Sequence, residues 1–122
     1  MTTPSCGSVL IVDDDADIRE ALLDVLNDHG YPASAVANGR EALDYLRGGK
    51  RPCLILLDLM MPIMNGTQFR DEQLRDPNLR DVPVLVISAG NELEQRSKAL
   101  GTESMRKPVD LEKLLDVIAR HC

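Results

Sequence analysis

Three short apolar runs punctuate the chain, Val9 to Val12, Cys53 to Leu57 and Val82 to Ile87, each aliphatic or β-branched and without a polar interruption. A strand with one wet face alternates apolar and polar residues, whereas a strand covered on both faces reads as a continuous run. The runs therefore predict a parallel sheet with helices on both sides. Between them the period becomes helical: Ile18, Ala21, Leu22, Val25 and Leu26 share one face, as do Leu111, Leu114, Leu115 and Ile118. Gly30 after His29 and the Gly48-Gly49 pair mark helix ends, and Asp110 stands where an N-cap belongs. A weaker strand over Pro32 to Ala37 and a last one near Thr102 to Arg106 complete five βα units. Helices are expected at about 15–29, 39–48, 65–75, 91–100 and 110–121. The fold class is α/β, a single doubly wound sheet of five parallel strands with five helices.

Right-handed crossovers send the carboxyl end of every parallel strand to the same edge of the sheet. Asp13, Asp58 and Ser88 each close an apolar run, and Lys107 follows the final strand, so residues scattered along the chain become one site. Carboxylates at Asp13, Asp14 and Asp58 repel one another, and a hard divalent cation relieves that repulsion; Mg²⁺ is the expected ion. A carboxylate so placed can attack phosphorus. Phosphoryl transfer asks for positioning and charge neutralisation more than for an acid or a base. Asp58 is then the acceptor, Asp14 a direct metal ligand, and Asp13 a ligand through water or an orienting group. Lys107 pairs with an oxygen of Asp58 or of the phosphoryl group, and Ser88 donates to a phosphoryl oxygen.

Four motifs in this order, Val12-Asp13-Asp14-Asp15, Leu57-Asp58-Leu59-Met60-Met61-Pro62 with Asn65-Gly66, Ile87-Ser88-Ala89 and Lys107-Pro108, resemble the receiver domain of two-component response regulators, the CheY-like fold. The resemblance covers residues 8–120. It implies strand order 2-1-3-4-5, a metal ligand in the backbone carbonyl of Met60, and a cis peptide bond between Lys107 and Pro108. It further implies a phosphoryl donor that is a sensor histidine kinase or a histidine phosphotransfer domain, with Ser88 and Ala89 in the responding loop. Such a domain signals through altered protein binding and catalyses only its own phosphorylation and dephosphorylation. Receivers commonly carry Tyr or Phe three residues before the lysine; here that position is Ser104. Tyr31, Tyr45 and Phe69 all precede it, so no ring can swing behind Ser88, and a switch must work through the loop after Ser88 and the fourth helix.

Length and charge narrow the remaining choices. The 122 residues make one domain, 8–122, behind a polar extension over 1–7, with no room for a second output module. A net charge of −6 without a Lys/Arg run disfavours direct contact with nucleic acid or an anionic membrane. No apolar run approaches the roughly 20 residues that span a bilayer, and no signal peptide opens the chain. Cys6, Cys53 and Cys122 are far apart without a CxxC spacing, so neither a zinc site nor a disulfide is expected, and a reducing cytosol fits.

Blander readings stand beside these. Asp13 to Asp15 alone could be an N-cap with favourable charge at a helix start, a role expected of Asp15 in any case. Ser88 alone reads as a strand-end hydroxyl, and Lys107 alone as a solvated lysine. Met60, Met61 and Met64 fill gaps more often than they bind soft metals. A phosphorylation-independent interaction module shares the fold, and a phosphohydrolase shares the acids but would need a lid to enclose its substrate.

Overall fold

The computed structural model describes residues 8–88 and 93–122. Ten elements alternate: β1 (Val9–Val12), α1 (Ala16–Asp28), β2 (Ala33–Val36), α2 (Gly39–Arg47), β3 (Leu54–Leu57), α3 (Gly66–Arg75), β4 (Val84–Ser88), α4 (Leu93–Leu100), β5 (Glu103–Arg106) and α5 (Leu111–His121). The strands are all parallel, in the order β2-β1-β3-β4-β5. Ala89 and the extension over 1–7 lie outside the described residues.

The uninterrupted runs are strands with two dry faces. Leu10, Val12, Ile55, Leu57, Val84 and Val86 pack on one side with Leu43, Leu46 and Phe69 of α2 and α3. The alternate residues Val9, Ile11, Leu54, Leu56, Leu85 and Ile87 pack on the other with Leu26 of α1 and Leu114, Val117 and Ile118 of α5. The strands at the two margins, β2 and β5, are less covered, and β5 is exposed at both its ends. Helices α1, α2, α3 and α5 open where their sequence can hold unsatisfied N–H groups. Asp15 accepts from the N–H of Asp17 and Ile18, Asn38 from Glu41 and Asp110 from Lys113, while Asn65 and Gln68 form a reciprocal capping box. Among the described residues no helix is long and apolar enough to cross a membrane.

The buried stripe of α3 includes two polar residues, Arg70 and Gln73, that periodicity alone does not explain. Gln73 Nε2 donates to the carbonyls of Leu79 and Val82, both at 3.0 Å, and its Oε1 accepts from Arg70 Nη1 at 2.8 Å. Arg70 Nε in turn donates to the carbonyl of Leu100 at the end of α4. One glutamine thus fixes the α3–β4 connection and steadies the arginine that holds α4. Gln73→Leu leaves the buried Val82 carbonyl and a guanidinium N–H without the glutamine, while the Leu79 carbonyl keeps only the Val82 N–H, and a loss of about 2–3 kcal/mol is expected in urea denaturation; an unchanged midpoint would remove this role.

Cys53 and Cys122 form a disulfide with Cα atoms 5.5 Å apart, which corrects the expectation that no cysteine pair exists. Their separation of 69 residues gave no hint. The topology supplies the reason: β3 begins, and the antiparallel-running α5 ends, at the amino edge of the sheet, so the residues flanking them meet there. The case for a reducing compartment therefore loses the support of unpaired thiols.

Candidate functional site

At the carboxyl edge, β1 and β3 are neighbours with Val12 opposite Leu57, so the next residues, Asp13 and Asp58, lie side by side. Both are almost fully buried, 4% and 5% exposed. Asp14 is exposed, yet carboxylate oxygens of Asp13, Asp14 and Asp58 lie within 4.8 Å of one another. Lys107, delivered by the end of β5, reaches in from the other side of β4. Its Nζ donates to Asp13 Oδ2 at 3.1 Å and Asp58 Oδ2 at 3.4 Å. Its own N–H donates to the carbonyl of Ser88, which ties the lysine to the end of β4, and the Lys107–Pro108 peptide bond is cis. Ser88 is buried at that same edge. Ser104 lies half-buried on β5 in register with Val86, short of the edge.

Backbone groups orient the acids. Asp13 Oδ1 accepts from the N–H of Asp15, and Asp58 Oδ1 accepts from the N–H of Met60 at 3.1 Å. Arg19 was not legible as a site residue. From the first turns of α1 its Nη1 donates to the backbone carbonyl of Asp13 at 2.7 Å, placing a guanidinium beside the acidic cluster. The only sequence signal for it is a cation six positions after Asp13 on a helix that starts at the same edge. Between Asp58 and α3 the chain turns through Ile63, a β-branched residue in the left-handed region with φ 68°. That conformation costs about 1–2 kcal/mol. Gly66 opens α3 three residues later, and a Cβ there would stand 2.5 Å from the Asp58 carbonyl oxygen and 2.8 Å from Leu59 Cα.

The site carries more negative charge than its lysine neutralises. Burial pushes the Asp58 carboxyl up, and Asp13 adds to this; the Met60 N–H and Lys107 pull the other way without prevailing. Burial alone would pull the Lys107 ammonium down, but its hydrogen bond to Asp13 and the charges of Asp58 and Asp13 leave it above its usual value. The cluster offers only oxygen ligands, is partly open through Asp14 and wants positive charge, which fits a hard divalent cation. A proton bound more firmly to folded than to unfolded Asp58 stabilises the fold below the ordinary carboxylate range. That contribution is lost as pH rises through the raised value. Without divalent cations, the melting temperature of wild type relative to Asp58→Asn is expected to fall as pH rises above the ordinary carboxylate range. Millimolar Mg²⁺ should reverse the fall, and a difference independent of both pH and Mg²⁺ would contradict the account.

Parallel strands that gather acids, a lysine and a hydroxyl at one edge define a doubly wound α/β domain with a cation-ready acidic pocket. The chain belongs to the response regulator receiver domain family, whose model matches residues 9–119. It is 37% identical over 117 residues to sporulation initiation phosphotransferase F of Bacillus subtilis, covering 93% of this chain and 91% of that one. It is also 37% identical over 110 residues to response regulator MprA of Mycolicibacterium vanbaalenii, covering 88% of this chain but only 46% of that longer protein. Among solved structures, chemotaxis protein CheY4 of Vibrio cholerae superposes with a TM-score of 0.84 at 32% identity, covering 96% of this chain and 99% of that one.

Proposed function

We propose that this receiver takes a phosphoryl group on Asp58 from a phosphohistidine in a sensor histidine kinase or histidine phosphotransfer domain. The observation that carries the reading is the position of Asp58, buried beside two further carboxylates and bridged to Asp13 by Lys107. A carboxylate oxygen of Asp58 forms the new bond to phosphorus, and the donor's phosphorus–nitrogen bond breaks with its electron pair going to the imidazole. Asp13, Asp14, Asp58 and the Met60 carbonyl would hold Mg²⁺, which when bound neutralises charge that gathers on the phosphoryl oxygens. Lys107 is anchored through Ser88 and the two acids, so its ammonium is already in place for a phosphoryl oxygen. The Ser88 hydroxyl serves as a donor to another, and Ala89 belongs to the loop that responds.

The same edge continues into an apolar groove of ≈ 630 Å³ between α1 and the start of α5, lined by Ile18, Leu22, Val25, Val109 and Leu111 with Lys107 at one end. It suits the apolar side of a donor helix that must bring its histidine to Asp58. Because that donor is charged from ATP, the domain works in the cytoplasm. Its output is a change in protein binding, without turnover of an external substrate, membrane insertion or direct contact with nucleic acid. The half-buried Ser104, where a ring would be needed for an aromatic switch, favours a second reading in which partners bind whether or not Asp58 is modified.

Acetyl phosphate with Mg²⁺ should add a single phosphoryl mass to the protein, mapped to Asp58. No adduct, or one elsewhere, would end the first reading. Equal partner affinity with and without beryllofluoride would establish the second.

A further inference from the structure

The geometry points to Cys53 and Cys122 as a reversible dithiol–disulfide couple that fastens or frees the end of α5, with small thiols and disulfides of the glutathione class as its co-reactants. The bond joins the far ends of two elements whose near ends carry the site: β3 runs on to Asp58, and α5 follows Lys107 and Pro108. Cys122 is four residues beyond Ile118 and shares its buried face, so the bond closes the bottom of the layer that packs α5 on the sheet. The Cα separation of 5.5 Å lets the two sulfurs meet without moving either element.

The two sulfurs differ in access, which sets the order of events. Cys53 is 6% exposed and Cys122 is half-buried, so an incoming disulfide meets Cys122 first. The Cys122 thiolate attacks one sulfur of R–S–S–R, forming Cys122–S–S–R and releasing one R–S⁻. The Cys53 thiolate then attacks Cys122 Sγ, forming the internal bond and releasing the second. In sum, two protein thiols and one small disulfide give one internal disulfide and two small thiols. Excess thiol reverses both steps. The Cys53 sulfur lies 3.0 Å from the carbonyl of Ser8, a partner to which the thiol can donate once the bond is reduced. In a thiol-rich compartment, disulfides that do form are mostly transient and redox-sensing.

The test uses the full chain carrying Cys6→Ser, equilibrated in graded mixtures of reduced and oxidised glutathione, acid-quenched, unfolded and labelled with N-ethylmaleimide. Intact mass should pass from two labels to none as the oxidised fraction rises. Cys53→Ser should retain one glutathione on Cys122, and the oxidised protein should melt ~10 °C above the reduced one. Two labels at every ratio, no labels even in reduced glutathione alone, or identical melting of the two forms would each overturn the proposal. The label count does not depend on phosphoryl uptake, so this couple and the acceptor role of Asp58 stand or fall separately.

Discussion

Asp58→Asn is expected to take up no phosphoryl group from acetyl phosphate or from a phosphorylated histidine protein, while folding better than the wild type. An amide cannot act as the nucleophile, and the neighbouring carboxylates lack the placement beside both Lys107 and the Met60 N–H that Asp58 has. Burial disfavours the charged Asp58, so the neutral amide relieves repulsion with Asp13. A melting temperature raised by about 2–4 °C at neutral pH without metal is the expected size. The Mg²⁺-dependent stabilisation should shrink at the same time, because a ligand that binds only the folded state stabilises it by an amount that grows with the logarithm of its affinity. Loss of uptake with a gain in stability separates a chemical role from simple damage. Uptake retained by the variant would remove Asp58 as the acceptor.

Gly66→Ala should have the opposite profile, a large loss of stability with chemistry impaired only as a consequence. The added methyl meets the backbone of Asp58 and Leu59, which cannot rotate away as a side chain would. Helix α3 must lift or the Asp58 turn must shift. Overpacking against fixed atoms costs about 3 kcal/mol, to be read in urea denaturation. A displacement of the acceptor by ~1 Å can slow transfer by up to about 100-fold, to be read as the rate of uptake from acetyl phosphate. Gly48→Ala is the control: a Cβ there comes no nearer than 3.4 Å to the Tyr45 carbonyl, and little change is expected. Similar midpoints for the two variants would show that α3 does not press on the acceptor turn.

The layered architecture was legible because the sheet is buried on both faces, so its central strands are aliphatic throughout except for Ser88 at the end of β4. Helix starts were legible at Asp15 and Asp110, where a side chain answers a local need of the backbone. Asp13, Asp58, Ser88 and Lys107 could be gathered from the sequence because strand direction alone sends strand ends to one edge. What stayed hidden depends on distances that only packing sets. Arg19 looks like any helical cation until its guanidinium is seen on the Asp13 carbonyl. Gln73 looks like a surface residue until three bonds satisfy it in the interior. The Cys53–Cys122 pair follows from two elements ending at one level of the sheet, which their distance along the chain does not reveal.

The order β2-β1-β3-β4-β5 seats the two buried acids on adjoining inner strands and leaves Ser104 on an outer one. The acids thus share a dry interior neighbourhood, to which β5 lends only Lys107 from its end. Under the proposed function, substitutions on that outer strand away from Lys107 can retune which listener answers while the paired acids are left as they are.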